Sequence, residues 1–163
     1  MSSTRFFSAG TLAAEDEIKR EDAERRRHYI RAEYEGERLL RALLVSDEKV
    51  TTVRYYGQSV TDSLRMSHSM EFPGAPYEVI SAPVTTTEGI VVWSTTYVDR
   101  DGAFRCRIDA YATNAENQRS GSPYLEIEYT NCGEQCRVEY EYNATVTKLL
   151  RITRVYPSGD RDI

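Results

Sequence analysis

Near Val45 the periodicity of the chain changes once: charged residues at helical spacing give way to Val-, Thr- and Tyr-rich runs that alternate between two faces. A 3.6-residue repeat and a two-residue repeat cannot share one element, so the switch divides the chain into a helical part and a sheet-forming part. The 163 residues suffice for one core with an appendage and are few for two domains.

The formal net charge of −5, from 21 basic and 26 acidic residues, argues against a nucleic-acid binder that relies on a broad basic face. No run approaches the roughly 20 apolar residues that cross a bilayer, and no apolar signal core follows the start. The expectation is a soluble, intracellular protein with no membrane span. Met1 to Ala14 contains Arg5, Phe6 and Phe7 and lacks any acid, which resembles a short mitochondrial presequence. The plainer reading is an N-terminal tail over 1–14. Mitochondrial import and a place in a virion are the alternatives to a soluble intracellular location.

From Glu15 to Val45 the residues favour one long charged helix: Ala, Leu, Arg and Glu dominate, Pro is missing and Gly36 is the one glycine. Asp16 with Arg20, Glu21 with Arg25, Asp22 with Arg26 and Glu37 with Arg41 stand at i,i+4 with the acid first, the favourable orientation. Glu15, Asp16 and Glu17 crowd the first turn, where the helix dipole favours acids. Ile18, Asp22, Arg25, Tyr29 and Ala32 are too polar for a coiled-coil seam, whereas Tyr29, Ile30, Ala32, Leu39, Leu40, Leu43 and Leu44 form an apolar stripe. The expectation is a docking half from Tyr29 onward and a projecting arm before it, the whole spanning on the order of 45 Å. On the arm, Arg25, Arg26, Arg27, Tyr29 and Ile30 are candidate partner-binding residues, since Tyr and Arg are enriched at protein contacts. The competing reading is a solvated helix of mixed charge.

Lys19, Arg20, Glu21, Asp22, Ala23, Glu24, Arg27, Tyr29, Arg31 and Ala32 resemble the inhibitory helix of the mitochondrial ATP synthase inhibitor protein family. That resemblance implies a helix-mediated regulator of a larger complex and transfers no site.

Beyond Val45 the sheet-forming domain spans 49–157, with a polar tail over 158–163. Lys49 to Tyr56 and Tyr77 to Ser81 read as strands, and Ser59 to Met70 is ambiguous, with a short helix capped by Ser59 as one option. Ile90 to Val98 and Phe104 to Tyr111 read as a hairpin around Asp99, Arg100, Asp101 and Gly102. A second hairpin alternates Leu125, Ile127 and Tyr129 with Glu126 and Glu128, then Val138, Tyr140 and Tyr142 with Glu139 and Glu141. The run from Val138 to Tyr156 is too long for one strand and implies a bend near Asn143 to Thr147.

The alternation predicts that Glu126, Glu128, Glu139 and Glu141 form an acidic face, whose repulsion Arg105 and Arg107, a basic partner or a divalent cation must answer. Cys132 and Cys136 flank the hairpin tip; free thiols are the favoured reading, with a disulfide as the redox-dependent alternative. Cys106 lies between core positions. Asp99, Asp101 and Gly102 are better explained as a turn than as a calcium loop, and no set of residues has metal-ligand spacing. Asn143-Ala144-Thr145 is a glycosylation sequon, meaningful only in a secreted chain. Neither His28 nor His68 has a nucleophile and acid in sequence context, so no catalytic residue and no cofactor is assigned.

The expected architecture is α+β: a long N-terminal helix packed on an antiparallel sheet of about five or six strands. Its element order resembles the cystatin-like roll and the nuclear transport factor 2 superfamily, and a β-sandwich or jelly roll with a helical arm is the competitor. The expected function is a non-catalytic structural or assembly subunit docking in a larger complex, with other protein subunits or further copies of itself, through the arm and the sheet face. The resemblance to nuclear transport factor 2 implies as an alternative a small-molecule binder or enzyme, with Asp109 or His68 at the pocket mouth.

Overall fold

Strands take 59% of the chain and helices 12%, in a computed structural model that describes all residues except 87–89, 114–118, 131–132, 143–148 and 163. Side chains at 112–113 and 119–124 also lie outside the description. The long helix over 15–45 is therefore not formed, and neither the α+β architecture nor the helical arm stands. Its first residues make a 3₁₀ turn, the two-residue strand β2 (Glu17–Ile18) and the one-turn helix α1 (Arg20–Ala23). They follow β1 (Ser2–Ser8), built from the segment expected as a tail. The remainder is a hairpin of β3 (His28–Glu35) and β4 (Arg38–Ser46).

Local chemistry explains why strands win here. Gly36, φ +62°, occupies the first position of the two-residue loop between β3 and β4, as a type II′ turn requires. Along β3, Ile30 and Ala32 bury themselves at period two, at 3% and 0% exposure, and the propensity of Ala, Glu and Arg for helix yields to that burial. The i,i+4 acid–base spacing turns out to serve sheet pairing: Arg41 stands directly across from Glu33, not one helical turn from Glu37.

The chain forms two compact units. The first comprises Met1–Ile80 and Tyr97–Gly102, the second Ser81–Thr96 and Ala103–Ile163. In the first unit β5 (Lys49–Tyr56) continues the meander from β4 through Asp47 and Glu48, both at positive φ of 49° and 63°. The helix α2 (Asp62–Glu71) then crosses to β6 (Tyr77–Ile80), which pairs parallel with β5. Thr61, rather than Ser59, caps α2, its hydroxyl accepting from Leu64 N at 3.1 Å. The strand order is β2-β1-β3-β4-β5-β6.

The register sorts this sheet into two faces. One carries Phe7, Ile30, Ala32 and Ala42 in a buried cluster, with Leu12, Tyr34, Leu39, Leu44 and Tyr56 against it. The other carries Leu43, Val53, Tyr55 and Tyr77, all buried. There α2 sets His68 against Tyr55 and Tyr77, and Phe72 follows at its end. Arg41 ties that face together: Nε donates to Glu33 Oε2 at 2.6 Å, Nη1 and Nη2 donate to Glu71 at 2.6 and 2.7 Å, and the guanidinium lies 5.3 Å from the Phe72 ring centre.

In the second unit β7 (Val84–Thr85) pairs with β8 (Ile90–Val98), and β8 neighbours β9 (Phe104–Thr113). Then follow β10 (Arg119–Thr130), β11 (Gly133–Tyr142), β12 (Leu149–Val155) and β13 (Arg161–Asp162), each antiparallel to its predecessor. The bend expected near Asn143 to Thr147 falls outside the described residues, as does the sequon.

The Arg41 hydrogen bonds hold the Glu71 carboxyl below its ordinary pKa. A depressed folded-state value means the contribution is whole above the ordinary carboxylate range and is lost as pH falls below it. Arg41→Met, which removes both hydrogen bonds to Glu71 and leaves Glu33 with Arg31 at 3.5 Å, is expected to cost about 2 kcal/mol in urea unfolding. Glu71→Gln is expected to cost about 1 kcal/mol at pH 7 and to flatten the loss of stability on acidification. Glu48→Gly should raise stability by up to about 1 kcal/mol, because it relieves a left-handed residue in the turn, and equilibrium unfolding measures this directly.

Candidate functional site

The registers of β9 to β12 place Arg105, Arg107 and Asp109 on one face of the second unit's strands together with Glu126, Glu128, Cys136, Val138, Tyr140, Ile152 and Arg154. Val138 and Cys136 floor a hollow of about 360 Å³, rimmed by Arg107, Glu126, Glu128 and Arg154. On the same face Asp109 is 1% exposed and stands directly across from Glu126. Burying one carboxylate opposite another is unfavourable unless cations and donors answer both. Arg107 Nε lies 2.9 Å from Asp109 Oδ1 and 3.0 Å from Oδ2. Its N–H is aligned on Oδ2, so Oδ1 has no hydrogen-bond partner among the described residues. Burial alone would lower the pKa of Arg107, but the Asp109 hydrogen bond and the charges of Asp109 and Glu126 outweigh it and raise it.

Glu126 is answered by the Tyr140 hydroxyl. Burial first, then the charge and hydrogen bond of Glu126, push the Tyr140 phenol up to about 12. Glu128 lies 3.6 Å from Arg105. On the neighbouring rim, stacked Trp93 and Tyr111 lie parallel, 5.0 Å between ring centres.

Beside the hollow, β12 leaves most of an edge open. Among the described residues β13 pairs only with Arg154 and Val155, so residues 149–153 have no strand on their outer side. Leu149, Leu150 and Ile152 are 41%, 56% and 45% exposed along it.

The expected single acidic face is split. Glu126 pairs with Val138 and Glu128 with Cys136, whereas Glu139 pairs with Leu125. Glu139 and Glu141 therefore lie on the opposite face, where Glu141 meets Arg151 at 2.5 Å. The cause is one extra residue, Gln135, between the partners of Glu128 and Tyr129, which shifts the parity of β11. Gly133, φ +102°, in the tip is the sequence signal that such a bulge was available. The pairing of Glu126 with Tyr140 follows from that register and was not visible without it.

The other expected residues are dispersed. Arg25 and Arg26 are exposed between α1 and β3, while Arg27 pairs with Asp47 at 2.8 Å. Tyr29 lines a trough of about 550 Å³ in the first unit, and Ile30 is buried on the opposite face, so the two cannot share a contact edge. The resemblance to an inhibitory helix has no helix behind it, since α1 ends at Ala23 and β3 begins at His28. Cys136 and Cys106 carry free thiols, and Cys132 lies outside the described residues. His68 and Asp109, the two residues of the alternative pocket, belong to different units. His68 is 4% exposed; its Nε2 donates to Ala75 O at 2.8 Å, which leaves Nδ1 to accept from Tyr55 OH at 3.0 Å. Among the described residues no helix is long and apolar enough to cross a membrane, and no group of His, Cys, Asp or Glu could hold a metal.

No protein-family model, curated protein or solved structure matches this chain.

The Glu126–Tyr140 pairing has a direct readout. Because the folded-state phenol sits above its ordinary value of 10.0, its contribution to stability is whole below that value and is lost as pH rises toward about 12. Subtracting the 295 nm alkaline titration of Tyr140→Phe from that of the unaltered chain should leave one phenol ionising near pH 12. Glu126→Gln should move that transition down while keeping it above 10.0, since burial is the leading cause.

Proposed function

We propose that the chain is a non-catalytic subunit that docks a partner protein in a larger complex through the second unit, its β12 edge and the adjoining sheet face. The observation that supports this is the row of exposed Leu149, Leu150 and Ile152 on an edge with little described pairing. Free sheet edges template association, and folded proteins blunt them with charge, Pro or cover unless a strand is meant to be added. Here three of the exposed positions are apolar, Leu149, Leu150 and Ile152, and the charge between them, Arg151, is paired with Glu141 on the neighbouring strand. An incoming extended segment would gain backbone hydrogen bonds along 149–153 and apolar contacts with Leu150 and Ile152. The hollow floored by Val138 and Cys136 would receive the next side chain, with Arg107 and Arg154 orienting acidic groups.

The test is the size of the species in a native extract. The 18.7 kDa chain is expected to sediment in a larger assembly, and Leu150→Lys with Ile152→Lys is expected to release it as a folded monomer. An unaltered chain that sediments alone at native concentration would overturn the proposal.

A further inference from the structure

We propose that the bond after Arg26 is a processing site for an endoprotease selective for paired basic residues, and that the chain stays assembled once it is cut. The starting observation is where the fold leaves the arginine triplet. Arg25, Arg26 and Arg27 lie in the turn between α1 and β3, and the run from Glu24 to His28 is exposed throughout. Among the described residues no ion pair holds Arg25 or Arg26. Arg27 is fixed: its Nε donates to Asp47 Oδ1 at 2.8 Å, and its carbonyl accepts from Asp47 N at 2.9 Å.

Proteases bind substrate as an extended segment, so a folded chain is cut where the backbone can give up its own hydrogen bonds. Around Arg26 few bonds have to go. The Arg25 N–H and the Arg26 carbonyl make no backbone hydrogen bond among the described residues, while Arg26 N donates to Ala23 O at 2.9 Å. Upstream, α1 is one turn long, lacks a side-chain cap, and buries only Ala23, so opening its end gives up a single methyl group. Lys19 with Arg20 and Arg25 to Arg27 are the only adjacent basic residues in the sequence. Cutting after Arg20 would require α1 to unwind completely, because Lys19 O accepts from Asp22 N and Ala23 N and Arg20 O accepts from Glu24 N. It would also pull Glu17 and Ile18 off β1. The fold therefore presents one of the two basic pairs and withholds the other.

Hydrolysis adds one water across the Arg26–Arg27 peptide bond, leaving a carboxylate on Arg26 and an ammonium on Arg27. The sheet retains the piece that the cut releases. On its side of the bond β1 pairs with β3 from Ser2 opposite Glu35 to Ser8 opposite Tyr29, and Phe7 is 2% exposed in the cluster with Ile30, Ala32 and Ala42. Leu12 packs against the same cluster. The new ammonium forms on the residue whose side chain already meets the Asp47 carboxylate. The product is a two-fragment form in which β1 is held by pairing and packing alone.

Digestion of the native full chain with a subtilisin-type endoprotease selective for paired basic residues, followed by mass spectrometry, tests the site. The first cut is expected after Arg26, giving fragments 1–26 and 27–163 that co-elute in gel filtration and separate in urea. Arg26→Gln, at an exposed position, should slow that cut about a hundredfold or more, because the protease pocket that pairs with a guanidinium is left unmatched. Arg27→Gln should not slow it. In a native extract the chain is expected to begin at Arg27 with 1–26 still bound. A first cut after Arg20, slowing by Arg27→Gln, fragments that part without denaturant, or a native extract holding only uncut chain would overturn the assignment.

Discussion

In the first unit a largely buried cation stands in the middle of a sheet face that would ordinarily be apolar. Arg41 sits in the middle of β4, under α2, with its side chain 22% exposed. A guanidinium so placed loses hydration and is tolerable only if fixed partners replace it. Glu33 on the adjacent strand takes Nε, Glu71 at the end of α2 takes both terminal nitrogens, and the Phe72 ring covers the plane. Each partner comes from a different element, so the charge can be satisfied only when β3, β4 and the end of α2 are all in place. The ion pairs thereby specify where the helix rests, a role more secure than any net contribution to stability.

The aromatic cluster next to it works by the same logic with neutral groups. Tyr55, His68 and Tyr77 come from β5, α2 and β6, and His68 binds the first by a hydrogen bond and the loop before the third through Ala75. The parallel β5–β6 pair needs a crossover, and the crossover helix needs a buried face to rest on. Arg54 and Glu78, directly opposed in that pair and 2.6 Å apart, add a charged lock at the strand register. Helix, crossover and sheet are thus mutually dependent.

Much of the sheet after Val45 was legible because period-two alternation and turn residues agree there. Lys49–Tyr56 and the neighbouring β8 and β9 appear where Val, Tyr and Asp-Gly place them. The region before Val45 was misread for a physical reason: Glu, Arg, Ala and Leu are strong helix formers, and their acid–base spacing fits a helix as well as a hairpin. Propensities of a few tenths of a kcal/mol per residue cannot hold a helix against burial of Phe7, Ile30 and Leu43 in a sheet. The decisive local signals were small: Gly36 after Glu35, and aromatic residues at Tyr29 and Tyr34.

The candidate site was obscured by a subtler limit. Residue types on β10 and β11 are read correctly as alternating, yet alternation within each strand does not fix which set of β11 joins which set of β10. One inserted residue at Gln135 decides it, and that choice moves Val138 and Tyr140 to the side of Glu126 and sends Glu139 and Glu141 to the other. The consequence is chemical as well as geometric. Four glutamates on one face would have demanded a cation from outside, whereas the observed register lets Tyr140, Arg105 and Arg151 answer Glu126, Glu128 and Glu141 from within the sheet. The repulsion that the expected register would have left open is thereby met by groups of the sheet itself, and the unpaired polar atom that remains on the Glu126 face among the described residues is Asp109 Oδ1.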